Sequence, residues 1–372
     1  MRQFSFCLML IVLVLYGCGS TANQNQSSAI EVSLKSTFKN DFQMGTALNV
    51  SQFQEKDPSV TALIVREFNA ITPENVMKSA VIHPEANRYD FTQADQFVAF
   101  GEKYKMDMYG HTLIWHSQLS PFAQKMQSKD SLMRFMEDHI QTVAGRYAGK
   151  IKGWDVVNEA LNEDGTLRKS VFLDILGEGY IETAFRLAQK ADPKAELYYN
   201  DYNIEQKAKR KGAIELLKKL KKSGVRIDGV GIQGHWSLNG PPVEEIEQSI
   251  IEYANMGLKV MLTELDITTL PNPWDLKGAE ISQNFEGSPY MNPYPTGLPD
   301  SMQMKLTARY EALFKVFIKH QDKISRVTFW GVHDGHSWLN GWPIKGRTNY
   351  PLFFDRQLKP KPVYYKVMAL KK

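Results

Sequence analysis

Two glutamates, Glu159 and Glu264, each end an apolar run, Glu159 after IKGWDVVN and Glu264 after KVMLT. A lone carboxylate in that position is ordinarily half of an ion pair. Two that face one cavity can instead divide the labour of nucleophile and proton donor. Aromatic and amide side chains close the other apolar runs: His111, Trp115 and Gln118 in GHTLIWHSQ, Asn200 and Tyr202 in YYNDYN, Gln233 and His235 in GIQGHW, and Trp330 in TFWG. Flat rings beside fixed donors and acceptors suit a sugar, which presents apolar C–H faces and a rim of hydroxyls. Trp154 has apolar neighbours and is expected in the core instead.

These residues need a scaffold that brings distant strand ends together. Candidate strands are 44–48, 68–71, 108–115, 151–158, 196–200, 229–233, 259–264 and 327–330. Helical periodicity falls at about 94–105, 130–147, 172–191, 207–222, 243–256, 301–320 and 360–370. Eight strands alternating with helices predict an α/β fold, a single-domain (β/α)8 TIM barrel whose catalytic face lies at the C-terminal strand ends. Residues 267–300 hold six prolines and three glycines and are expected as a loop insertion over that face. The eight basic residues of 207–222, among them Lys209 and Arg210, predict a solvated outer helix.

The N-terminus differs in kind. Arg2 precedes a thirteen-residue run from Phe4 to Tyr16 broken only by Ser5, too short to span a bilayer, so it is expected to be an export signal. Leu15-Tyr16-Gly17-Cys18 resembles a lipoprotein cleavage motif, which implies residues 1–17 as signal peptide and lipid attachment at Cys18. Residues 18–30 are polar and read as a flexible tether, with the catalytic domain at 31–372. Both cysteines, Cys7 and Cys18, fall in this leader, so the body has no disulfide, zinc–cysteine site or cysteine nucleophile. Forty-five basic against forty-one acidic residues leave no nucleic-acid footprint.

The blocks TPENVMK, GHTLIWHSQ, WDVVNEA, YYNDYN, GVGIQGHW, LTELD and FWGVHDGHSWL occur in this order from about residue 40 onward. Together they resemble the glycoside hydrolases of family 10, mostly endo-β-1,4-xylanases. That resemblance implies retaining hydrolysis of xylan, with Glu264 as nucleophile and Glu159 as general acid/base, the two carboxyls roughly 5 Å apart. It also implies that Glu74, Asn75, Lys78 and Gln118 bind the next sugar toward the non-reducing end. His111, Trp115, Gln233, Trp330 and Trp338 would line the cleavage subsite, Asn158 would hold the 2-hydroxyl, and Tyr202 would stack under the leaving sugar. Leu119-Ser120-Pro121-Phe122 departs from the family pattern and is expected near the cleft rim.

From the chemistry of retention, His235 and Asn158 are expected to keep Glu264 ionised. Asp266, two residues beyond Glu264 on the same strand face, would orient His235. A metal hydrolase is disfavoured, because His111 and His116 fall on opposite strand faces and no HExxH occurs. A barrel that only binds carbohydrate would be expected to lose one of the two glutamates. The expectation is an exported, monomeric, lipid-anchored enzyme acting on xylan and xylo-oligosaccharides, without cofactor or metal.

Overall fold

The computed structural model describes Met1 and residues 32–371; the rest of the expected signal, Cys18 and the tether lie outside the described residues. From residue 32 on, short apolar runs and longer amphipathic ones alternate, and the former become strands. These are β1 (Gln43–Leu48), β2 (Ala70–Pro73), β3 (Asp107–Trp115), β4 (Gly153–Asn158), β5 (Glu196–Asp201), β6 (Gly229–Ile232), β7 (His235–Ser237), β8 (Lys259–Thr268) and β9 (Ile324–Phe329). All pair in parallel, each of β1 to β5 with the next, and β9 joins β1 to β8. Pairing of β6 with β8 closes eight of them into the expected barrel. The short β7 continues beyond β6 and pairs only with the distal half of β8.

Helices cover the outside, and most match their expected limits. Lys207–Lys222 matches fully, whereas 172–191 divides into Val171–Leu176 and Gly179–Ala191. A helix absent from the expectations, Pro58–Glu67, starts where Asp57 accepts hydrogen bonds from Ser59 N and Val60 N ahead of a first-turn proline. It consumes Phe68 as its C-cap, which moves β2 two residues later than expected. The basic helix also needs correction. Lys209 and Arg210 are buried, Lys209 pairing with Asp201 at 2.9 Å and Arg210 with Glu245 at 2.8 Å; the other six basic residues face solvent as expected. Among the described residues no helix is long and apolar enough to cross a membrane.

The barrel interior is polar as well as apolar. Arg326 on β9 lies 3.6 Å from the Tyr109 ring centroid and donates to the hydroxyls of Thr72 and Thr328. Trp154, as expected, is fully buried, and it sits opposite Gly110 on the neighbouring strand. A Cβ at position 110 would stand 2.1 Å from the indole ring. Gly110→Ala should therefore cost roughly 1–3 kcal/mol through overpacking. Urea unfolding is the check, and the second substitution Trp154→Leu should restore part of the loss.

Candidate active site

The C-terminal strand ends converge on a cleft of about 280 Å³ that contains both Glu159 and Glu264. Of the residues expected to bind sugar, all but Tyr202 line it: Glu74, Asn75 and Lys78 after β2, His111 and Trp115 on β3, and Gln118 just beyond. Asn158 ends β4, Gln233 and His235 follow β6, and Trp330 and Trp338 follow β9. This is the face on which barrel enzymes place their chemistry.

Glu264 and Asp266 are two residues apart on β8 and so project to the same side. His235 bridges them, with Nε2 at 3.1 Å from Glu264 and Nδ1 at 3.0 Å from Asp266. The bridge depends on a change of register, because Gly234 with φ +84° separates β6 from β7 and turns the imidazole along β8. Trp338 Nε1 donates to the other Asp266 oxygen at 2.7 Å. Burial opposes a charge on His235, yet the Asp266 carboxylate and the bond to Glu264 outweigh it and lift the pKa to about 10. Both ring nitrogens then donate.

Burial would also raise Glu264, but the His235 bond, the neighbouring His111 and the Asn200 amide more than offset it and hold the carboxyl below its ordinary value. Asn200 Nδ2 donates to Glu264 Oε1 at 2.8 Å. The second holder of Glu264 is therefore Asn200 on β5, and the expectation that Asn158 would fill this place is corrected. Asn158 Oδ1 accepts from Asn200 and Gln233, so its own Nδ2 turns toward Glu159 Oε1 at 3.2 Å.

Glu159 lies one residue past β4 in the left-handed region, φ +57°, a conformation costing of order 1–3 kcal/mol for a side-chain-bearing residue. Its N–H bonds to Asn200 O at 2.9 Å, which secures that backbone. Trp115 Nε1 reaches Oε2 and Gln233 Nε2 reaches Oε1, each at 2.9 Å. Burial dominates here and raises its pKa, with Asp201 adding to the effect and His116, Gln233 and Arg168 opposing it. Two buried glutamates of one cleft are thus displaced in opposite directions.

On one side of the pair, Lys78 donates to Asn75 Oδ1 at 3.0 Å and Gln118 Oε1 at 2.9 Å, 5.0 Å from the Trp115 ring centroid. Burial lowers the Lys78 pKa against the pull of Glu264, Glu74 and Glu159, and burial raises that of Glu74 against Lys78. Ala80 N donates to Gln118 O, and Ser120 bonds to Ser79 and His83, locking the loops after β2 and β3 together. Leu119 and Ser120 are accordingly buried rather than on the rim.

Tyr202 also departs from expectation. Its ring is 3% exposed, with Lys209 Nζ 3.7 Å from the centroid and Gly278 so close that a Cβ there would fall 2.4 Å from a ring carbon. It offers no free face to a sugar in this arrangement. The covering segment comes from the long loop after β8, which begins later than expected because β7 extends β8 to Thr268. Ala279 and Ile281 of that loop line the cleft and had no signal in the sequence, since their role arises only from where the loop folds back. His111 bonds to Asp155 at 2.9 Å and His116 lies near Glu280, so the two histidines serve different neighbours.

The family model for glycosyl hydrolase family 10 matches residues 33–370. An endo-1,4-beta-xylanase A of Xylanibacter ruminicola is 44% identical, with all of both chains covered. A beta-1,4-xylanase of Dictyoglomus thermophilum is 38% identical over 99% of each. Among solved structures, a GH10 endoxylanase from a sugarcane soil metagenome superposes with a TM-score of 0.88 at 48% identity, covering 91% of this chain and all of that one. With the barrel, the strand-end cleft and the paired glutamates in agreement across nearly the whole described length, the chain belongs to glycosyl hydrolase family 10.

Proposed function

We propose that this enzyme cleaves β-1,4-xylosidic bonds within xylan with retention of configuration, Glu264 acting as nucleophile and Glu159 as general acid/base. The observation that carries the reading is the opposite displacement of two buried carboxyl pKa values in one cleft, Glu264 down and Glu159 up. Retention needs one ionised and one protonated carboxyl at the start. Glu264 attacks the anomeric carbon as the glycosidic C–O bond breaks, and the Glu159 proton passes to the departing oxygen. Glu159, now a carboxylate, takes a proton from water, which attacks the anomeric carbon and releases Glu264.

Asn158 is the residue proposed to hold the 2-hydroxyl, its amide orientation set by the two donors that occupy its oxygen. Glu74, Asn75, Lys78 and Gln118 would bind the next sugar toward the non-reducing end. His111, Trp115, Gln233, Trp330 and Trp338 would surround the sugar under attack. Trp338, pinned to Asp266, is the side chain proposed to clash with an exocyclic hydroxymethyl group and so to favour a pentose over glucose.

Glu264→Ala should reduce xylan hydrolysis by roughly 10⁴-fold or more while xylo-oligosaccharides still bind. Glu159→Ala should lower turnover of xylan by roughly 10²–10⁴-fold and spare aryl xylosides with good leaving groups. Proton NMR of the first product should show the β anomer; an initial α product would exclude retention.

The pH profile has a sign for each limb. Activity requires ionised Glu264, so the acid limb lies below the ordinary glutamate range, and it requires protonated Glu159, so activity is lost as pH rises through a raised pKa. Asn200→Ala removes a donor to the Glu264 carboxylate and should move the acid limb of kcat/KM upward. Gln233→Leu removes a donor to Glu159 and should move the basic limb upward while leaving the acid limb in place.

The leader supports export and attachment to a membrane through a lipid on Cys18. Cell fractionation tests this: Cys18→Ser should free the enzyme from membranes without altering kcat or KM.

A further inference from the structure

The loop after β8 carries a small turn that is braced within itself. Lys277 N donates to Gln283 Oε1 at 2.8 Å, and Gln283 Nε2 returns bonds to Lys277 O at 2.7 Å and Glu280 O at 3.2 Å. Ser282 N donates to Glu280 Oε1 at 3.1 Å. Pro271 and Pro273 precede this turn and Pro289 follows it, so it is stiff inside and joined to the barrel by irregular chain. One side chain fastens its centre: Glu280 Oε2 lies 2.6 Å from Arg168 Nη1 and 3.4 Å from His116 Nε2. Arg168 also donates to the Tyr202 hydroxyl.

The fastened turn occupies a particular place. Ala279 and Ile281 line the cleft that holds Glu159 and Glu264. Gly278 packs on Tyr202 and borders a second cavity of about 520 Å³ with Asn203, Gln206, Lys207 and Trp236. His235 borders both cavities, so the turn lies between them. On the subsite assignment proposed above, Lys78, Glu74 and Gln118 hold the sugar on the non-reducing side, so the barred side is the one into which a leaving sugar departs.

We propose that the 277–283 turn is a displaceable strap across the leaving-group side of the cleft, and that Glu280 is a positioning residue whose fastening sets how readily a sugar chain extends past the scissile bond. This rests on the glycosidase reading above. Displacing the strap would uncover the Tyr202 ring and join the two cavities into one groove. The fastening pair is mostly buried, its side chains 13% and 19% exposed, so a bound chain displaces the turn only by offsetting the loss of a charge-assisted bond. The ligand class is a β-1,4-linked sugar chain with at least one residue on the leaving side.

The test compares two substrates. β-Xylobiosyl fluoride has a one-atom leaving group and needs no room beyond the scissile bond, whereas xylohexaose does. Glu280→Gln should lower KM for xylohexaose by roughly tenfold, the scale of a hydrogen bond to a charged group, while kcat/KM for the fluoride stays within about twofold. An equal change on both substrates, no change on either, or a raised xylohexaose KM would overturn the strap. Glu280→Asp, which keeps the charge, should return KM toward the wild-type value.

Hydrogen exchange in the full chain bearing Glu264→Ala gives a reading that does not depend on the folding of Glu280 variants. Added xylohexaose should speed exchange at the Phe285 amide, which ties the chain just after the turn to Pro343 O, and unchanged or slower exchange there would overturn the proposal. A wild-type enzyme inert to both substrates would overturn the glycosidase reading itself, and this one with it.

Discussion

A positive imidazole held between two carboxylates is the interaction on which the rest of the site depends. His235 keeps Glu264 ionised in a place where burial alone would neutralise it, and Asp266 keeps His235 charged. Neither bond forms on a simple eight-stranded barrel with uninterrupted strands. It takes the break at Gly234 to re-aim the chain, the short β7 to hold it, and a β8 long enough to carry Glu264 and Asp266 on one face. Trp338 then satisfies the remaining Asp266 oxygen, so an aromatic wall of the cleft is fixed by the same network that fixes the charge.

The second glutamate is governed through amides rather than charge. Gln233 donates to Glu159 and to Asn158, and Asn200 donates to Asn158 and to Glu264. Asn158 and Asn200 are bonded at both ends of their amides, Thr263 occupying the Asn200 oxygen. The chain of bonds links the two carboxyls without placing a cation on Glu159. Burial is thus left to dominate there, which is why one carboxyl falls and the other rises.

Much of this was legible in the sequence because each strand ends where its apolar run meets a polar or aromatic residue. Gly153–Asn158 and Lys259–Glu264 are unmistakable, and the paired glutamates follow from them. Other features were not legible, each for a stated reason. The helix Pro58–Glu67 carried its start signal at Asp57-Pro58 but was short enough to be read as connection. Asn200 was visible as one of the strand-end amides, but that it, rather than Asn158, donates to Glu264 depends on the Asn158 oxygen being filled by Asn200 and Gln233. Lys209 looked like one of eight solvated bases, and only the packing of its helix turns it inward onto Asp201 and Tyr202.

The near balance of charge over the whole chain conceals a cleft crowded with buried ionisable groups. Glu74, Glu159 and Glu264 face a single buried amine, Lys78, which feels all three. An uncharged polysaccharide gains little from long-range steering, so these charges serve local ends. Lys78 spends its donors on Asn75 and Gln118, orienting their amides, rather than pairing closely with a carboxylate. Had it formed a short ion pair with Glu159, the proton donor would be pulled toward its ionised form and the two carboxyls could no longer differ. Keeping the amine engaged by amides is therefore a condition for the asymmetry that the chemistry requires.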